Sequence, residues 1–132
     1  EHQDNKTRAA LWELKLAAEY GDLRAIKELV LEEGVEISGL CEEFGQEQAI
    51  HFSSFYGHLQ ATKLLLELGA NPHALNYFNQ SSVHRAACGG YTKICELLID
   101  HGADPLPRDA YNMTPPEYAI DAGFNETAQW FF

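Results

Sequence analysis

The chain is poor in positive charge: 9 Lys and Arg stand against 20 Asp and Glu in 132 residues, a formal net of -11. With no basic stripe to offset this, the surface repels nucleic-acid phosphates, and an anionic membrane face is disfavoured for the same reason. A basic partner is favoured instead, mainly through the rate of encounter. Long hydrophobic runs are also missing, and no stretch approaches the ~18 residues of a membrane span. No signal-peptide pattern is visible. Cysteine is scarce and odd in number: Cys41, Cys88 and Cys95 do not form a paired framework, so reduced thiols and a cytoplasmic setting are the expectation. The start at Glu1-His2 without Met is compatible with a mature periplasmic or secreted chain as well.

Motifs for chemistry are similarly thin. No His-x-x-x-His or Cys-x-x-Cys spacing places two ligands on one metal, and no glycine-rich phosphate loop occurs, so neither metal nor cofactor is expected. Cys88 follows His84 by four residues, one helical turn, which could set a thiol beside an imidazole as a nucleophile–base pair requires. No third orienting residue or oxyanion donor accompanies them. A Cys/His hydrolase is therefore a remote alternative, and no catalytic residue is assigned. The acidic runs Glu32-Glu33 and Glu42-Glu43 read as solvated loop charge or as a contact for a basic partner.

What the chain does contain is a period. It is 45% apolar, enough for one buried core in one domain. Gly57, Gly90 and Gly123 are spaced by 33 residues, as are His51, His84 and Glu117, and as are Gly69-Ala70 and Gly102-Ala103. Ala17-Ala18 before Gly21 is a further copy, displaced by three extra residues placed between Glu32 and Gly45. Each glycine falls where a helix must stop and reverse. Thr114 and Pro115 read as an N-cap and first helical residue. Leu59, Ala61, Leu64, Leu65 and Leu68 form a helical stripe that a single helix pair could not bury, whereas a stack of pairs could. The segments from Asn71-Pro72 to Asn79 and from Asp104-Pro105 to Asn112 are turn-rich and too short for a helix, and read as hairpin-like fingers.

These residues resemble the ankyrin repeat over nearly the whole chain. Gln48-Ala49-Ile50-His51, Ser53-Ser54, Gly57-His58, Leu64-Leu65-Leu66 and Gly69-Ala70 make one copy; Ser81-Ser82-Val83-His84, Ala86-Ala87, Gly90-Tyr91, Leu97-Leu98-Ile99 and Gly102-Ala103 make the next. The outer copies are degenerate, with Lys15 and Glu117 at the histidine position, as terminal caps tend to be. The resemblance implies an all-α solenoid of stacked helix-turn-helix units with projecting fingers. It forms a single domain over 1–132, with repeats near 7–39, 43–75, 76–108 and 109–132. It also implies that His51 and His84 tie helix starts to neighbouring backbone, and that Cys95, Phe52 and Tyr118 serve packing.

In that family the fingertips and exposed inner-helix ends form a concave binding face. Carried over by position, the candidate partner-binding residues are Tyr20, Phe44, Phe55, Tyr56, Tyr77, Phe78, Tyr111 and Met113. Rings give large contact area at small rotamer entropy, which suits a binding surface; stacking on one another as a private minicore is the competing reading. The expectation is therefore a monomeric, non-catalytic protein-interaction module that masks a basic protein's functional surface as an inhibitor or immunity-type protein, with an enzyme as one such target. An adaptor or scaffold domain cut from a longer protein is the alternative. The terminal Trp130-Phe131-Phe132 is expected either to tuck onto the third repeat or to await a cover.

Overall fold

The structure, a computed structural model, describes residues 4–41 and 45–132. Its helices come in four pairs: α1 (Asn5–Tyr20) with α2 (Leu23–Lys27), α3 (Ala49–Phe55) with α4 (Leu59–Glu67), α5 (Ser82–Cys88) with α6 (Thr92–Asp100), and α7 (Pro115–Asp121) with α8 (Asn125–Trp130). The inner helices α1, α3, α5 and α7 pack each on the next, and α2, α4 and α6 follow as an outer layer. The core between them is built from small and branched side chains. Ala18, Ile26, Leu65, Val83, Ala86, Ala87, Cys95, Leu98 and Ala119 are all fully buried. Cys95 and Phe52 are core, as the sequence suggested, while Phe131 packs against the core and Trp130 and Phe132 stay exposed.

The α4 stripe differs from the sequence reading. Ala61, Thr62, Leu65 and Leu66 are buried, whereas Leu59, Leu64 and Leu68 are only half-buried. Thr62 can take a core position because its hydroxyl donates to the His58 carbonyl at 2.9 Å and meets Ser53 Oγ at 2.8 Å.

The three extra residues of the first repeat divide between two places. From Gly21 to Gly34, both in the left-handed region, the chain is one residue longer than from Gly57 to Gly69 or from Gly90 to Gly102. That residue is absorbed inside the outer helix, where α2 widens into a π-helical turn over Glu28–Glu32 and Glu33 N–H donates to the Glu28 carbonyl at 3.0 Å. The other two lie between Gly34 and Gln46, in the first finger. The sequence reading had placed all three beyond Glu32, but a π turn leaves no composition signal.

Consecutive pairs are fastened by a ring laid over a glycine. His58 covers Gly21, Tyr91 covers Gly57 and Phe124 covers Gly90, so a Cβ on Gly57 would lie 2.5 Å from the Tyr91 ring. His58 also donates from Nε2 to the Glu19 carbonyl at 2.7 Å. Because each glycine has a positive φ and ends a helix, the same residue supplies both the reversal and the seat for the next ring.

Candidate partner-binding face

The second and third fingers are side-chain-tied turns. Asn76 Oδ1 accepts from Phe78 N–H at 2.8 Å and from Gln80 N–H at 3.0 Å. One period later Asp109 Oδ1 accepts from Tyr111 N–H at 2.9 Å and from Met113 N–H at 3.0 Å. The turn closes on Gln46, Asn79 and Asn112, three non-glycine residues at positive φ and again 33 apart. Among the described residues neighbouring fingers are joined by backbone bonds: Tyr77 N–H donates to the Gly45 carbonyl at 2.8 Å and Ala110 N–H to the Phe78 carbonyl at 2.9 Å. Among the described residues the fingers form no strand ladder beyond the isolated antiparallel bridge between Cys41 and Glu47; they are hairpin-like turns, closed by Asn76 N–H donating to the Gln80 carbonyl at 3.0 Å and Asp109 N–H to the Met113 carbonyl at 3.1 Å.

Histidines lock the fingers to the helices. Gln48 N–H donates to His51 Nδ1 at 3.0 Å, and His51 Nε2 donates to the Gln80 carbonyl at 3.1 Å. Ser81 N–H donates to His84 Nδ1 at 3.0 Å, and His84 Nε2 donates to the Met113 carbonyl at 2.9 Å. With Nδ1 accepting, both imidazoles are neutral Nε2–H tautomers. Burial pushes the pKa of each below the ordinary value of 6.5. Because both His84 nitrogens are engaged, its ring has no lone pair to offer Cys88 as a base. In the last repeat Glu117 substitutes for the histidine only in part: its Oε1 accepts from Thr114 N–H at 2.8 Å but has no N–H for a following finger.

Beneath the fingertips runs a polar chain that the sequence did not announce. Arg85 faces Glu47 at 3.3 Å; Asn76 Nδ2 donates to Glu47 at 2.9 Å and to Gln80 at 3.1 Å; Gln80 Nε2 donates to Asp109 at 3.2 Å. Tyr118 OH donates to the same Asp109 carboxylate, whose own burial is outweighed by these donors, so its pKa lies below the usual carboxylate value. Burial and the Asp109 bond push the Tyr118 hydroxyl up to about 12.

On this base stand the candidate rings. Phe78 meets Tyr77 edge-on at 5.3 Å and stacks on Tyr111 at 5.9 Å, yet Tyr77 is 68% and Tyr111 61% exposed. The rings thus pack on one another and face solvent together. Met113, half-buried, contributes its carbonyl to His84. Phe55 meets Tyr56 at 5.0 Å, with the Arg85 guanidinium 4.4 Å above the Phe55 ring, and Tyr20 stands exposed at the end of α1. Ring contacts therefore join Tyr77, Phe78 and Tyr111 on the fingers and Phe55 with Tyr56 at the end of α3, while Tyr20 stands at the C-terminal end of α1; by position the candidates form two groups, one on the fingers and one at the C-terminal ends of α1 and α3. The length of α3, about 10 Å at 1.5 Å per residue, separates the levels of the two groups. Phe44 lies outside the described residues, as do Glu42 and Glu43.

Among the described residues no cluster of His, Cys, Asp and Glu could hold a metal ion, and no helix is long and apolar enough to cross a membrane. A family model of ankyrin repeats, in 3 copies, matches residues 14–109 and 50–132. No curated protein matches the chain.

Proposed function

Because the chain belongs to the ankyrin-repeat family, whose stacks are protein–protein interaction modules, we propose that it binds one basic partner protein through the finger rings and the inner-helix ring ends. In doing so it would cover the partner's working surface. The observation that carries this reading is the state of Tyr77, Phe78 and Tyr111. They are exposed, but the backbone of Tyr77 is held by the Gly45 carbonyl, that of Phe78 by Asn76 and that of Tyr111 by Asp109, and their faces by one another. Rings fixed before binding lose little freedom on contact, so their apolar area converts more fully into affinity. The net charge of -11 supplies the second half of the reading, by steering a cationic partner toward the surface.

Occlusion of the partner's surface is the inhibitor form of this reading, and an adaptor domain is its alternative. The test is affinity capture from the native cell with the chain and with the triple variant Tyr77→Ala, Phe78→Ala, Tyr111→Ala. Capture of a basic protein that the triple variant loses supports the reading, while equal capture by both would refute it. Suppression of the captured protein's activity by the chain distinguishes inhibitor from adaptor.

A further inference from the structure

Arg85 has donors that the described residues leave unused. Along the row Leu16, Phe52, Arg85 and Tyr118, equivalent positions on the four inner helices, it alone is charged. Its guanidinium lies 4.4 Å over the Phe55 ring, and Nε stands 3.3 Å from a Glu47 oxygen. That contact is not aligned as a hydrogen bond, so the enclosed Nε has no hydrogen-bond partner. Glu47 accepts from Asn76 Nδ2 instead, at 2.9 Å. The Arg85 side chain nevertheless keeps 26% of its surface open. A planar fork of donors, stacked on a ring and half-covered, calls for an acceptor. The fork also lies between the two ring groups. Phe55 belongs to the helix-end group, and Glu47 is tied to Asn76, which holds the Phe78 N–H of the finger group.

We propose that Arg85 determines the specificity of this face by receiving an Asp or Glu carboxylate of the partner. The carboxylate comes from the partner segment that crosses from the finger rings to Phe55 and Tyr56, an inference that rests on the binding-face reading. Charge complementarity selects this occupant. A carboxylate meets a guanidinium fork with two parallel N–H···O bonds, whereas a lone carbonyl oxygen cannot, and a partner Lys or Arg at this place would be repelled. Stacking on Phe55 fixes the fork before contact, so little freedom is lost on binding. Rings on both sides keep water from the pair once it has formed. The sign at the contact is opposite to the sign that steers, because the two act over different ranges. The net charge of -11 acts on approach, across a screening length of about 8–10 Å, while Arg85 acts on the side chain that touches it.

The probe is a displayed library of random peptides, selected in parallel on the chain, on Arg85→Glu and on the triple variant Tyr77→Ala, Phe78→Ala, Tyr111→Ala. Peptides retained by the chain should be enriched in Asp or Glu flanked by apolar residues, and those retained by Arg85→Glu in Lys or Arg instead. One acidic peptide then enters a double-mutant cycle. Replacing its carboxylate by an amide and introducing Arg85→Gln should each raise Kd about tenfold, and both together hardly more. Arg85→Lys keeps a charge opposite Glu47 and so separates binding from folding. Its Tm should stay within about 2 °C of the parent while Kd still rises severalfold, because the fork is gone. Peptides without acidic enrichment, failure to retain any peptide, or a cycle in which the two losses add would overturn the inference. If the triple variant loses peptides that carry no carboxylate, the inference fails and the binding face stands. Equal retention by the triple variant would refute the face itself.

Discussion

The Tyr91 ring lies over the backbone of Gly57, 2.5 Å from where a β-carbon would sit, and so joins the third helix pair to the second. Gly57→Ala should therefore cost twice, once for placing a side chain at φ 80 and once for displacing the ring. Together about 2–4 kcal/mol of unfolding free energy should be lost. Tyr91→Ala alone removes a ring that is 37% exposed and should cost about 1–2 kcal/mol. In the double variant the collision is gone and the backbone strain and the lost ring packing remain, so the two single losses should sum to more than the measured double loss. Denaturant titration of the four proteins decides it. Strict additivity would mean the ring and glycine are not in contact in solution.

Stability should fall with acid before the carboxylates titrate. His51 and His84 are buried as neutral imidazoles with their pKa below 6.5, and each Nδ1 already accepts a backbone N–H. Below pH 6.5 the unfolded chain binds protons that the folded chain refuses. Unfolding free energy is thus fully present above that pH and declines as pH drops, by up to about 1.4 kcal/mol per unit per histidine. Tm measured from pH 8 to pH 5 should be flat down to about 6.5 and then fall, and His51→Gln with His84→Gln should flatten the fall. A Tm constant to pH 5 would contradict the tautomer assignment.

Repetition is why so much of this fold could be read from the chain. A helix-ending glycine, a histidine three residues into an inner helix and a Gly-Ala pair recur because each copy solves the same local problem, and they locate four helix pairs without reference to packing. What escaped was set by contacts between copies. Tyr91 and Phe124 stand one and two periods after His58, and what the three share is a ring over the preceding copy's glycine, which no single copy of the sequence displays. The π turn at Glu28–Glu32 has ordinary helix-forming residues and shows only as a shifted count. The positive φ of Gln46, where Asn79 and Asn112 stand in later copies, has no local propensity signal in glutamine. The rings of the candidate face were legible as types and positions. Their division into two groups was not, since it depends on which ring meets which.

The thiols should differ sharply in reactivity. Cys95 is fully buried, and desolvation pushes its pKa to about 12, so thiolate is negligible at neutral pH. Cys88 is half-buried on α5. A disulfide exchange reagent at pH 8 should label Cys88 in the native chain and reach Cys95 only at the rate of unfolding. The check is the number of labelled thiols against time, with Cys88→Ser removing the fast phase. Equal rates for Cys95 in native and denatured protein would place it outside the core.

For the binding face, the two driving forces separate kinetically. If the rings supply affinity and the acidic surface supplies encounter, Tyr77→Ala and Tyr111→Ala should each speed dissociation of the captured partner. The cost should be about 1–3 kcal/mol of binding free energy each, with little change in association rate. Raising salt from 50 to 500 mM should do the reverse, slowing association by roughly tenfold or more while leaving dissociation nearly unchanged. Phe78→Ala should act on both folding and binding, because its ring supports Tyr77 and Tyr111 as well as facing outward. Its binding loss should then exceed what its own area explains, through the freedom it returns to its neighbours. Surface-immobilised kinetics on these three variants at two salt concentrations is the measurement. A salt-independent association rate would remove the steering argument, and ring substitutions that change only association would show that the rings lie outside the contact.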